Sequence, residues 1–162
     1  MQSNWPKSIA WILQWEGSDV NVSKTEPDGI SKYGVSLAAL IDFCHAESKP
    51  KPQAIDVANL TEADATAFYA WYLQPMFNAM PAGVDYRLAD ITVNLGRTGG
   101  ALAYSTVMAG FGGKTATPDE IITALGAYWI GKKTASTAWK VDGPGWTNRF
   151  VAANANARTL IA

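Results

Sequence analysis

Glu16 stands where a carboxylate is out of place. The stretch Trp11-Ile12-Leu13-Gln14-Trp15-Glu16-Gly17 reads as the last turn of a helix closed by a glycine. Counting back from Glu16 at helical spacing meets Leu13, Ile12, Ile9 and Trp5, so the glutamate shares the helix's apolar stripe. Three effects then favour its protonated form. Burial disfavours the charge, Trp15 and Trp11 offer aromatic cover, and the negative end of the helix dipole opposes a carboxylate. An acid that keeps its proton near neutral pH is what general-acid chemistry needs. Cleavage of a glycosidic bond, whose leaving oxygen must be protonated, is the reaction that most often asks for it. On the residues alone, a rim glutamate whose charge reaches solvent is the alternative.

The elements around Glu16 follow from caps and breakers. The first helix starts at Ser3 or Asn4 and ends at Glu16, with Gly17 free to take the left-handed cap. Residues 17 to 36 have no helical period and are dense in turn residues. They predict a small irregular β-hairpin or long loop, and a polar loop of that length in a compact chain is more often functional than not. Ser36 caps a helix through Leu37, Leu40, Ile41 and Cys44, which Lys49-Pro50-Lys51-Pro52 breaks. Thr61, with acids after it, starts a helix that carries Ala65, Phe68, Tyr69, Tyr72 and Leu73 until Pro75.

Pro81-Ala82-Gly83 marks a lobe boundary, giving an expected catalytic lobe of 1–83 and a helical C-terminal lobe of 84–162 packed as one compact unit. Val84, Leu88, Ile91 and Leu95 form one stripe of a helix ending at Gly96, and a helix over 99–109 follows. Thr117-Pro118-Asp119-Glu120 is a capping box with proline at the first helical position. Asp142-Gly143-Pro144-Gly145 is expected to turn, and a last helix to begin near Trp146. The fold class is mainly α, with one small β-hairpin or loop insert after the first helix.

Composition excludes several classes. The 162 residues are 48% hydrophobic and 17% charged, as in a globular domain with its own core. The net charge of −1 and the absence of a basic stripe argue against nucleic acid. One cysteine, Cys44, and one histidine, His45, exclude a Cys/His zinc site by count. As helix neighbours they point about 100° apart, so a buried thiol beside a surface histidine is expected rather than a catalytic dyad. No cofactor or metal is implied. No stretch approaches the roughly 20 apolar residues of a membrane span, and no signal peptide is visible, so the expected location is a cytoplasm.

The segments E-G-S-D-V-N from Glu16 and P-D-G-I-S-K-Y-G-V-S from Pro27 resemble the E-G-G-Y-V-N … D-P-G-G-x-T-x-x-G-I-T signature of glycoside hydrolase family 108. L-A-D-I-T-V-N-L-G from Leu88 resembles that family's D-x-x-x-N-x-G helix, and G-W-T-N-R from Gly145 its G-W-x-x-R. The first motif is fairly specific and the others support it. The resemblance implies a lysozyme-like helical fold that hydrolyses the β-1,4 bond of peptidoglycan between N-acetylmuramic acid and N-acetylglucosamine. It also implies a C-terminal region that binds peptidoglycan. Glu16 falls on the catalytic glutamate. Ser18 replaces the second glycine and Ser31 the threonine. The loop is about one residue longer, so the family's aspartate has no clean counterpart: Thr25 and Glu26 flank its place, and Asp28 follows Pro27.

An inverting enzyme needs a base or water-positioning group across the sugar from the acid. Glu26 is the candidate carboxylate and Ser31 the candidate for orienting water; solvated loop acids are the alternative for Glu26, Asp19 and Asp28. Asp28, Tyr33, Trp71 and Asn94 are candidates for binding substrate. Asp90 and Asn94, four apart, are expected to face the cleft or to form a helix-end polar network. Trp146 and Arg149 match the last motif, and a stacked guanidinium pinning the final helix explains them as well. Tyr72 is a further candidate for a saccharide groove, but most of the seven tryptophans are expected in the core.

The expectation is a monomeric phage endolysin acting on peptidoglycan without membrane insertion. It waits in the host cytoplasm until a holin or similar hole opens the membrane, and the absence of a separate wall-targeting module suits the thin wall of a Gram-negative host. The rivals are a lytic transglycosylase giving 1,6-anhydro products and a non-catalytic wall-binding or secretion accessory protein.

Overall fold

In the computed structural model, residues 4–22 and 29–161 are described. The chain divides into two compact units, Pro6–Gln74 and Pro75–Ala162, the second taking in the start of the chain up to Trp5.

The unit Pro6–Gln74 opens with α1, Trp5–Glu16, which buries Ser8, Ile9, Ile12 and Leu13. A small antiparallel sheet follows: β1 (Asn21–Val22), β2 (Ile30–Lys32) and β3 (Val35–Ser36), in that order across the sheet. Ser31 is opposed by Asn21 on one side and Ser36 on the other, and Lys32 pairs with Val35. Ser36 then caps α2, Leu37–Ala46, accepting from the Ala39 N–H at 3.3 Å. Cys44 is half-buried and His45 exposed. A one-and-a-half-turn α3, Ala54–Ala58, has no counterpart in the sequence reading; at five residues it is too short to show a period.

The next helix, α4, spans Glu62–Ala79. Thr61 and Asp64 close its start reciprocally, the Asp64 N–H reaching Thr61 Oγ1 at 3.2 Å and the Thr61 N–H reaching Asp64 Oδ2 at 2.9 Å. Its apolar face carries an aromatic cluster. Phe68 stacks on Tyr72 at 5.4 Å, and Trp71 sits 5.4 Å from Phe43 and 5.8 Å from Phe68. The helix does not end before Pro75, as the sequence predicts, but continues to Ala79.

In the second unit α5, Val84–Gly110, packs against α6, Pro118–Thr134, and α7, Trp139–Arg158. At Gly96 the backbone leaves the helix (φ 75, ψ 168), so α5 is two helices meeting at a kink where sequence places an end. Only a residue without Cβ takes that conformation at no steric cost. The stripe expected on 84–95 understates the burial: every residue from 84 to 92 is buried, including Asp85, Arg87, Asp90 and Thr92. The Thr117–Glu120 capping box and Pro118 open α6 as predicted.

The turn expected at 142–145 is helical instead, and α7 begins at Trp139 rather than near Trp146. Two local contacts hold the helix through Pro144. The Trp139 ring lies on Gly143, where a Cβ would stand 3.0 Å from it, and Thr147 Oγ1 donates to the Gly143 carbonyl at 2.8 Å. The tryptophans also depart from expectation: Trp129 alone is fully buried, and Trp5, Trp11, Trp15, Trp71, Trp139 and Trp146 are half-buried. An indole rarely loses all its surface, and several here lie under a lysine, as Trp11 does under Lys7 at 5.0 Å and Trp146 under Lys133 at 4.3 Å.

Candidate active site

Glu16 is the last residue of α1 and is half-buried, less enclosed than its stripe neighbours Ile12 and Leu13. Gly17 follows at φ 70, its N–H returning to the Leu13 carbonyl at 3.1 Å, and so ends the helix at the glutamate.

The cover comes from the β2–β3 turn. Lys32 and Val35 pair, so Tyr33 and Gly34 are the two loop residues, with φ 52 and φ 73. Positive φ at both positions is the type I′ turn that matches the twist of a hairpin. Gly34 is required twice over. A Cβ there would lie 2.5 Å from Glu16 Oε2 and 2.6 Å from Tyr69 Oη, inside any van der Waals separation. Tyr69, on α4 and 1% exposed, donates its hydroxyl to the Tyr33 carbonyl at 2.8 Å. Lys32 Nζ donates to the Ala58 carbonyl at the end of α3, at 3.0 Å. The turn is thus tied to α4 and its strand to α3, with the backbone of Gly34 laid on the acid.

The other sequence candidates fall in different places. Ser31 is half-buried on the central strand, one hairpin arm from Gly34. Tyr33 forms the turn itself, with Lys32 Nζ 5.5 Å from its ring centre. Trp71 and Tyr72 are half-buried members of the α4 aromatic cluster. Thr25, Glu26 and Asp28 lie outside the described residues. A groove of about 430 Å³ opens on the same unit, between α2, the 49–53 connection, α3 and α4, and Glu16 does not line it. Its carboxylates are already engaged: Asp56 accepts from the Gln53 N–H and Asp64 from Thr61. Among the described residues no group of three or more His, Cys, Asp or Glu is placed to hold a metal ion.

The family model for glycosyl hydrolase 108 matches residues 9–96, a span that contains Glu16, the sheet and Gly34. The chain belongs to glycosyl hydrolase family 108. Membership makes it a glycosyl hydrolase and implies peptidoglycan as its substrate. The fold is also that of a solved structure described as Brucella abortus SagA, with a TM-score of 0.79 and 22% identity over 99% of this chain and 97% of that one. A search of curated proteins gives no match.

The stretches around Asp90 and Arg149 meet within the second unit, and not at a surface. Asp90 is wholly buried between two guanidiniums: Arg87 Nη1 at 2.6 Å from Oδ2, and Arg149 at 2.9 Å (Nε) and 2.8 Å (Nη2) from Oδ1. Arg87 Nε donates to Asn154 Oδ1 at 2.8 Å, and its guanidinium lies over Trp129 and Phe150. Desolvation lowers the Arg87 pKa from its ordinary value, and the charge of Asp90 opposes that. Burial, helped by the charge of Asp90, pushes the Tyr86 phenol up to about 12.

Asp90 therefore does not face a cleft. Two buried cations need its charge, and it is the centre of an ionic network that joins α5 to α7. Asn94 is half-buried and bonds the Asp90 carbonyl one turn back, at 2.8 Å. Arg149 does pin the final helix, through Asp90, while the cation over Trp146 is Lys133. Sequence reasoning placed Tyr69 only in a core stripe; its hydroxyl at the turn is a contact across 36 residues that no local pattern signals.

Proposed function

We propose that the chain is a phage endolysin: a muramidase that hydrolyses the β-1,4 bond between N-acetylmuramic acid and N-acetylglucosamine. The observation that carries this reading is the half-buried Glu16 carboxyl at the end of α1, under a hairpin turn whose glycine makes room for it. Glu16 gives its proton to the glycosidic oxygen as the bond to the anomeric carbon breaks. Water attacks that carbon from the opposite face in a single displacement, which inverts its configuration. Ser31 orients the water, and Glu26 takes its proton. Asp28, Tyr33, Trp71 and Asn94 remain the candidates for contact with sugar or peptide. The lobe 84–162 binds wall or completes the core.

The endolysin role rests on the resemblance of the motifs around Glu16 and Ser31. It assigns the protein to the host cytoplasm until a holin opens the membrane. No helix among the described residues is long and apolar enough to cross a membrane.

Glu16→Gln keeps the shape and removes the proton donor. Lysis of permeabilised Gram-negative cells is expected to fall by about 10²–10⁴-fold with the melting temperature unchanged. Undiminished lysis removes Glu16 from the mechanism. Mass spectrometry of the released muropeptides decides the reaction: ordinary reducing ends are expected, and 1,6-anhydro ends would make the enzyme a lytic transglycosylase.

A further inference from the structure

The groove between α2, α3 and α4 has a short, stiff rim. Ser48 takes φ 56, and the Lys49 N–H returns to the Cys44 carbonyl at 2.8 Å, so backbone contacts fix the exit from α2. In Lys49-Pro50-Lys51-Pro52 each lysine precedes a proline, which favours extended backbone and leaves little to order on binding. Both lysines are exposed and both line the groove, above buried Leu40, Phe43 and Leu60. Lys49 Nζ stands 4.9 Å from the centre of the Phe43 ring. Asp56 and Asp64 line the same groove and are held by helix starts. Asp56 Oδ2 accepts from the Gln53 N–H at 2.7 Å, and Asp64 Oδ2 from the Thr61 hydroxyl at 2.6 Å. The groove therefore offers an apolar floor with fixed charges of both signs.

That lining does not suit the sugar chain of peptidoglycan, whose lactyl carboxyl is tied up as an amide and whose rings carry no charge. It suits the stem peptide. An uncrosslinked stem bears free carboxylates, alanine methyls and, on its diamino acid, a side-chain ammonium. Resting on peptidoglycan as the family's substrate, we propose that this groove is a stem-peptide subsite, separate from the acid. Lys49 and Lys51 take the carboxylates, the methyls lie on Leu40, Phe43 and Leu60, and Asp56 and Asp64 face the ammonium. The groove adjoins the hairpin that carries the turn over Glu16. Ala58, whose carbonyl receives Lys32 Nζ, is followed in the chain by Asn59 and Leu60 of the groove wall. A crosslink converts the ammonium to an amide, so the subsite favours uncrosslinked stems.

The test titrates a synthetic stem tetrapeptide, L-Ala-γ-D-Glu-meso-diaminopimelate-D-Ala, into isotope-labelled protein and follows the backbone amides by NMR. Saturable shifts are expected at Cys44, Lys49, Asn59 and Leu60. Lys49→Ala with Lys51→Ala should raise Kd about fivefold, as two exposed ion pairs allow, and Lys49→Arg with Lys51→Arg should restore it. Acetylating the diamino acid's side-chain amine should also weaken binding. No saturable shift at these amides, an unchanged Kd in the alanine pair, or equal binding of an unrelated acidic tetrapeptide overturns the proposal. Release of reducing ends from glycan strands reads the muramidase assignment separately. Cleavage without peptide binding overturns the subsite and leaves the muramidase reading. Peptide binding with the expected lysine dependence, in a protein that releases no reducing ends, supports the subsite and sinks that reading.

Discussion

The Cα of Gly34 lies against the carboxyl of Glu16 so closely that a single added carbon would stand 2.5 Å from Oε2. The hairpin and the helix end therefore meet through backbone on one side and the acid on the other. Gly34→Ala is expected to displace the carboxyl, and a misplacement on the scale of 1 Å can cost about 100-fold in rate. Gly113→Ala is the control. Its φ of 79 carries a similar backbone penalty, of about 1 kcal/mol, but nothing lies within 4 Å of the new carbon. Both variants should melt earlier than the parent, and only the first should lose turnover beyond what its folded fraction explains.

Asp90 neutralises two buried guanidiniums, so its loss should be felt as stability. Asp90→Asn removes the carboxylate that Arg87 and Arg149 share and is expected to cost about 3–5 kcal/mol. For a chain of this size that is a drop of about 6–20 °C in melting temperature. Arg149→Ala leaves Asp90 paired with Arg87 and should cost less. Well below the new midpoint, kcat of the folded Asp90→Asn enzyme should match the parent. A selective loss of kcat, with the melting curve intact, would falsify the structural assignment.

Ser31 gives the complementary test. It lies on the central strand with cross-strand partners on both sides, and removal of its hydroxyl takes away little buried surface. Ser31→Ala should change stability by less than about 0.5 kcal/mol while kcat falls about tenfold or more if the hydroxyl orients water. Parent-like kinetics on soluble glycan strands would show that water is held by another group.

Two helix starts contribute to the acid sensitivity of the fold. Asp64 is held below its ordinary carboxylate range by the Thr61 hydroxyl and then the Thr61 N–H, and Glu120 by the Thr117 N–H and then its hydroxyl. A carboxyl whose folded pKa is depressed contributes stability above its unfolded value, and that contribution is lost as pH falls through the folded value. Melting temperature should therefore decline as pH drops below about 4. Asp64→Asn with Glu120→Gln should flatten that decline while lowering the neutral-pH melting temperature slightly. An acid limb of unchanged slope in the double variant would place the titrating groups elsewhere.

The parts of this fold that sequence reveals are those coded within a turn or two of chain. Gly17 ends α1, Ser36 and Thr61 cap their helices, Thr117 and Glu120 close a box, and Gly96 breaks α5. Each is a local steric or hydrogen-bonding demand that a single residue type meets. Where a side chain one turn away overrides a breaker, sequence misleads: Pro144 and its flanking glycines read as a turn, yet the Trp139 ring on Gly143 keeps the helix. The site divides the same way. Glu16 is visible because a carboxylate on an apolar stripe contradicts its surroundings. Tyr69 is not, because a tyrosine on an apolar stripe looks like ordinary core, and its hydroxyl meets the turn only after the chain has folded. Asp90 is legible only in part: a polar network is one of the two readings its spacing allows, but its cations come from one turn upstream and from 59 residues downstream, and only the first is near enough to notice.

The span that matches the family, 9–96, stops within the kinked helix and includes Asp90 and Arg87 but not Arg149 or Asn154. A protein trimmed to that span would keep the Asp90–Arg87 pair while discarding the helices that shelter it. For anyone shortening or shuffling such enzymes, the family-matched segment is not a transplantable part: α6 and α7 have to travel with α5.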